Sequence, residues 1–200
     1  MASHSGGTNV TSRPRSRPAD NALEGSGLAS TDWETTERVL ESGAFESKQR
    51  IVVPTPVVEN SESGARWLGV TYWQAVGEFS RGSVRARWTE AGGRLTLLGG
   101  PSLLSFGPPE VSFSDDLVSC RFAIQGGVLA VRAGGSVTLT QRGCDDGVEL
   151  AVSVEEYLPR LAARAGAPWW TGVLYAKGQS PFHAGVSRRY FGLLTPRLAQ

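Results

Sequence analysis

Lysine, cysteine and histidine are the scarce residues of this 200-residue chain. Of its 20 basic residues only Lys48 and Lys177 are lysines; the rest are arginines. Nineteen acidic residues bring the net charge to +1, so the chain lacks the basic excess that marks a nucleic-acid surface. The arginine bias reads as codon usage in a GC-rich, bacterial genome. Cys120, Cys144, His4 and His183 stand far apart, which excludes zinc-type ligand spacing, and neither a metal nor a cofactor is expected. Cys120 falls in an apolar strand-like run and reads as a small core residue. Cys144 sits in the turn Arg142–Gly147 and is expected to be exposed, with no disulfide between the two. No uninterrupted apolar run of about 18 residues exists, so no membrane span is expected. Met1–Ser30 also lacks the apolar run of a secretory leader, and a cytoplasmic protein is expected.

What is there divides into three parts. Residues 1–30 are mostly Ser, Gly, Pro, Arg, Asn and Thr, with too little apolar surface to offset the entropy of ordering them, and read as a disordered tail. Arg13, Arg15 and Arg17, with no acid before Asp20, faintly suggest a transit peptide; a solvated leader is preferred. Residues 31–48 read as a short helix and linker. Thr31 and Glu34 have capping-box spacing, Gly43 offers a left-handed end, and Trp33, Val39 and Leu40 give a thin apolar face. Residues 49–200 are expected to form one domain.

Within that domain the order of patterns is informative. Arg50–Val58 is β-branched, and Pro54 and Pro56, which cannot donate ladder hydrogen bonds, place it at a sheet edge. In Ala65–Phe79 the stripe Leu68, Tyr72, Val76, Phe79 has helical spacing. A strand reading of the same residues leaves no polar face, so helix is preferred. About six strand-like runs follow over Ser83–Leu158, punctuated by Ala91–Gly93, Gly99–Pro101, Gly107–Pro109, Ser114–Asp116 and the pairs Gly126-Gly127 and Gly134-Gly135. Trp169–Leu194 is helical again. It reads as two helices divided between Gly178 and Ser180-Pro181, or as one helix kinked at Pro181. The predicted fold class is α+β: a curved antiparallel sheet of six to seven strands packed on a long C-terminal helix.

This order, with the Ile124–Gly127 turn after a buried strand and the terminal Val186–Phe191 helix, resembles the START/Bet v 1-like helix-grip superfamily. The resemblance covers roughly residues 49–195 and is one of architecture, without a diagnostic motif. Where the family has two short helices after its first strand, this sequence has room for one. The resemblance implies an apolar cavity between sheet and terminal helix, in a superfamily of lipid and polyketide carriers, cyclases and hydrolases. Fold analogy does not choose among these activities.

Candidate functional residues follow from where apolar and polar tips would meet. Tyr72, Trp73, Trp88, Phe122, Phe182 and His183 are the expected lining of such a cavity, since Trp and Tyr combine large apolar area with a polar handle. Each also has an ordinary core role. His183, the one histidine of the domain, is a general acid/base if the protein is an enzyme. Glu155-Glu156 are expected on opposite faces of a strand, unable to act on one atom. No Ser-His-Asp or Cys-His arrangement is argued by spacing, and the glycine pairs lack the strand–GxGxxG–helix context of a nucleotide loop. Three readings result. The first is non-catalytic binding of a small hydrophobic molecule, lipid or aromatic metabolite. The second is a cyclase- or hydrolase-type enzyme using His183. The third is an interaction or homodimer domain displaying aromatics such as Trp169 and Trp170.

Overall fold

The computed structural model describes residues 33–89, 91–130, 132–159 and 169–195, with side chains of the last segment described from Phe182. Nine strands and two helices run in the order β1 (Glu34–Val39), β2 (Phe45–Val53), α1 (Glu62–Phe79), β3 (Val84–Thr89), β4 (Gly92–Leu97), β5 (Ser102–Phe106), β6 (Glu110–Phe113), β7 (Leu117–Gly126), β8 (Ser136–Cys144), β9 (Gly147–Tyr157) and α2 (Trp169–Leu194). All strand pairs are antiparallel, in the sheet order β1-β2-β9-β8-β7-β5-β4-β3, with β6 also on β7. The fold is therefore α+β, with more strands than the six to seven expected. From β2 onward the order of strand, helix, meander and terminal helix is that of the helix-grip architecture.

Alternation explains which sheet face is covered. In β7, Val118, Cys120, Phe122 and Ile124 are buried while the residues between them are half-buried; β2 buries Phe45, Ser47, Gln49, Ile51 and Val53 on the same principle. Both helices cover this face. Tyr72 of α1 meets Tyr190 of α2 edge-on at 5.6 Å, and Phe79 packs where a Cβ at Gly185 would lie 2.2 Å from its ring. Val186, Tyr190 and Leu194 of α2 are buried in one core with Leu68, Val76, Leu139 and Leu150. A buried polar seam joins α2 to the sheet: Ser187 Oγ donates to Gln49 Oε1, and Gln49 Nε2 donates to Ser47 Oγ at 3.1 Å.

Four local expectations are corrected. Residues 34–39, expected within a short helix, form strand β1, paired with β2 from Glu34↔Arg50 to Val39↔Phe45. The capping box is a local preference; pairing along a whole strand edge overrides it. Gly43 keeps its left-handed backbone (φ 80°), but it serves the β1–β2 turn. The strand with the two prolines is not an edge: β2 lies between β1 and β9 and ends at Val53. Pro54 and Pro56 fall beyond it, where missing donors cost nothing. Buried Gln141 holds that segment, accepting from Val57 and Val58 N–H at 2.8 and 3.0 Å and donating to the Val58 carbonyl at 2.8 Å. The run Val128–Arg132 between the pairs Gly126-Gly127 and Gly134-Gly135, counted among the strand-like runs, contributes only the bridge Ala130↔Pro159 among the described residues. Glu155 and Glu156 do not alternate. A bulge between the pairs Ser47↔Val154 and Phe45↔Tyr157, with Glu156 at φ 50°, turns both carboxylates to solvent.

The expected helix over Ala65–Phe79 is present and begins earlier, at Glu62, where the Ser61 hydroxyl accepts from Gly64 N–H at 3.1 Å. The C-terminal segment is helical throughout Trp169–Leu194, the single-helix alternative. The expected tail (1–30) lies outside the described residues, as do the side chains of Trp169 and Trp170. No described helix is long and apolar enough to cross a membrane.

Candidate functional site

Two breaks in regular structure open a groove beside α1. Gly107-Pro108-Pro109 interrupts the strand that would run the length of β7. As a result β6 pairs with the first part of β7 (Glu110↔Arg121 to Phe113↔Val118), while β5 pairs with its end (Phe106↔Ile124). Beyond that break β5, β4 and β3 continue the sheet, and β3 is its free edge. The second break is at the end of α1. Ser80 caps the helix and its hydroxyl accepts from Val84 N–H at 3.1 Å, so β3 starts beside the last turn of α1.

The space between is a groove of about 1140 Å³. Trp73, Trp88, Phe122, Val84 and Ala86 supply its apolar surface, and Gly69, Gly77, Pro108 and Pro109 shape it. Its volume is at or above the upper end for small-molecule sites, roughly 300–1,000 Å³. Val70 of α1, two-thirds exposed, and the exposed Arg85 and Arg87 of β3 show that it opens to solvent.

Each wall residue has a local reason for its position. Trp88 pairs across the β3–β4 ladder with Gly93, and a Cβ there would lie 2.2 Å from the indole, so the ring lies flat over the glycine. Trp73 reaches down from α1 into an aromatic cluster, with ring centroids 5.2 Å from Trp88, 5.0 Å from Phe106 and 5.1 Å from Phe122. Such tilted and edge-on contacts suit the ring quadrupoles. Gly69 permits the approach of α1 to β7: a Cβ would meet Phe122 Cζ at 2.8 Å and Cys120 Sγ at 3.0 Å.

The cluster satisfies its apolar surface and leaves polar tips unmatched. Trp73 Nε1, Trp88 Nε1 and Tyr190 OH are buried with no hydrogen-bond partner among the described residues. Buried donors are paired in the great majority of cases, and each exception calls for an explanation. The buried ionisable groups nearby, Cys120, Tyr72 and Tyr190, are neutral. Burial pushes the Cys120 thiol up to about 11, opposed in part by Arg66, and raises Tyr72 and Tyr190 above the ordinary phenol range. Cys120 is thus a buried thiol without nucleophilic character, and Cys144 is exposed; both are free.

Of the six residues expected to line a cavity, the structure brings Trp73, Trp88 and Phe122 together in the groove. Tyr72 lies one residue further round α1 and faces Tyr190 instead. Phe182 and His183 are on α2, away from the groove. Phe182 packs edge-on against Phe79 at 5.3 Å, and the His183 ring lies 6.0 Å from Phe45 and 6.4 Å from Phe182. His183 as a whole residue is half-buried, but its ring is desolvated between these neighbours, which lowers its pKa to about 4. It is a neutral imidazole, and no hydrogen bond or ion pair of its ring occurs among the described residues. The groove itself lies between α1 and β3, where the sequence reading placed a cavity beside the C-terminal helix. That interior is occupied by Tyr72, Val186, Tyr190 and Leu194. Arg66, Gly69 and Gly77 were not among the expected site residues. They belong to one flank of α1, at 66, 69–70, 73–74 and 77, a helical stripe legible once its neighbour is known.

No group of three or more His, Cys, Asp or Glu side chains able to hold a metal occurs among the described residues. No protein-family model matches the sequence, and no curated protein matches it. Among solved structures, the chain is similar to CalU16 from Micromonospora echinospora, at 15% identity and TM-score 0.30 over 86% of this chain and 98% of that one. It is similar to protein Ms6760 from Mycobacterium smegmatis at 11% identity and TM-score 0.38, over 82% and 98% of the two chains. A third likeness, to Ara h 8.0201, has 15% identity and TM-score 0.33 over 79% and 98%. At these scores the likenesses carry no argument about activity, and the fold assignment rests on the chain's own strand order.

Proposed function

We propose that this protein binds a small hydrophobic, aromatic molecule in the groove between α1 and β3, without catalysing its conversion. The observation that carries this reading is the groove of about 1140 Å³ with Trp73, Trp88 and Phe122 in its walls. An apolar concavity with a few polar tips is the usual form of a small-molecule site. A cytoplasmic setting, as the sequence suggests, belongs to the same reading.

The test uses N-phenyl-1-naphthylamine, a neutral aromatic probe that fluoresces when desolvated, with the full-length chain. Gly77→Phe supplies the control. Gly77 lines the groove, and a Cβ there meets nothing nearer than Val84 O at 4.0 Å, so the new ring occupies the groove without displacing the core. Saturable binding at about one probe per chain, weakened at least about tenfold by Gly77→Phe, is expected. Equal binding by both proteins, or none by either, overturns the proposal. Native mass spectrometry of the same samples reads stoichiometry; a dimer free of probe moves the weight to self-association.

A further inference from the structure

The groove is rich in donors and positive charge and poor in acceptors. Its charged lining residues are Arg66, Arg85 and Arg87, and no acidic residue is among the described lining. Two of its tryptophans, Trp73 and Trp88, keep buried indole N–H groups unpaired among the described residues, and Trp73 is more than nine-tenths buried. We infer that the ligand is an aromatic anion, a flat apolar body bearing a carboxylate, sulfonate or comparable acceptor-rich group. This rests on the groove being a binding site, and it adds the ligand's charge.

The three arginines are not equivalent. Arg66 is already paired with Glu62, one turn back on α1, at 2.7 Å. Arg85 donates to the Gly82 carbonyl at 3.4 Å, and Arg87 has no ion pair among the described residues. On β3 their side chains alternate with Val84, Ala86 and Trp88 and so leave the strand on its other face, but both residues line the groove where β3 forms the free edge of the sheet. An anion seated at that edge gains from both without desolvating either arginine. The Trp73 and Trp88 indole N–H groups are sealed within the aromatic cluster, so the gain comes from the arginines. A neutral hydrocarbon lacks it. A cationic ligand meets the same groove at a disadvantage.

The experiment compares two probes of one skeleton, 1-anilinonaphthalene-8-sulfonate and the neutral N-phenyl-1-naphthylamine, on the full-length chain. Exposed ion pairs contribute modestly each, so the anion is expected to bind about tenfold more tightly at low salt, with the preference shrinking at high salt. The double variant Arg85→Gln/Arg87→Gln changes only exposed side chains and is expected to abolish that preference while leaving neutral-probe binding intact. Trp88→Phe keeps an aromatic wall and the arginines, and is expected to leave the anion's preference over the neutral probe unchanged. If both probes bind equally, or the neutral one binds better, the anion inference falls and the groove stands. If the preference survives in the arginine variant, or the sulfonate binds Gly77→Phe unchanged, the inference also falls. If neither probe binds, the groove proposal itself falls.

Discussion

The two flanks of α1 have opposite fates. Toward α2 the helix is sealed: Tyr72 meets Tyr190, Phe79 fills the space above Gly185, and Glu78 pairs with Arg189. Toward β3 it stays open: Gly77 offers no side chain, Val70 is exposed, and the groove lies between helix and strand. Both flanks carry aromatics and glycines. On the closed flank Gly185 receives the Phe79 ring, whereas Gly77 has nothing nearer than the Val84 carbonyl at 4.0 Å. A groove is thus produced by a missing partner, not by any special residue type.

The largest expected effect lies in the sheet beneath both flanks. Leu150 is fully buried in β9, and Leu150→Ala is expected to cost about 2–5 kcal/mol, read by urea denaturation. A loss below about 1 kcal/mol would mean that the sheet under the closed flank is as loosely packed as the open one.

Next comes His183, on the closed side. Its native pKa of about 4 lies below the unfolded value of 6.5, so the stability it confers is present above pH 6.5. As pH falls from 6.5 to 4 the unfolded state takes up a proton that the native state refuses, and stability declines by at most about 3 kcal/mol. Residual hydration of the half-buried residue reduces this. His183→Leu is expected to flatten that part of the stability–pH curve; an unchanged slope would place the imidazole in water.

A matched pair of substitutions along the groove flank of α1 contrasts its filled floor with its open part. Gly69→Ala forces a methyl against Phe122 and Cys120 and is expected to destabilise by about 1–3 kcal/mol despite the better helix propensity of alanine. Gly77→Ala meets only open space and is expected to stabilise by up to about 1 kcal/mol. Thermal melts of the two variants check this, and equal shifts would erase the distinction between filled and open space along the groove.

The smallest effect is on reactivity. With a disulfide reagent near neutral pH, Cys144 is expected to react at once, and Cys120, buried with its pKa near 11, only on unfolding. Rapid labelling of both would mean that the groove floor opens.

Local patterns were legible where the chain's own period decides the structure. The stripe of α1 and the alternation Val84–Ala86–Trp88 and Cys120–Phe122–Ile124 could be read residue by residue. Half of the candidate site was legible for the same reason: Trp73, Trp88 and Phe122 face inward by spacing alone. Tyr72, Phe182 and His183 also face inward or toward a neighbour, but inward does not say toward which space. β1 was illegible because Glu34–Val39, exposed along its whole length, forms through its pairing with β2 and has no apolar alternation of its own.

The amino-acid sequence by itself determined the helices, most strands of the meander, the burial of Cys120 and the inward aromatics, because periodicity and turn chemistry act over a few residues. Only the tertiary structure decided that β2 is internal, that Glu155 and Glu156 share a side at a bulge, and that the open space lies between α1 and β3. Each of these depends on which distant segment arrives as a neighbour, and side-chain periodicity carries no record of that.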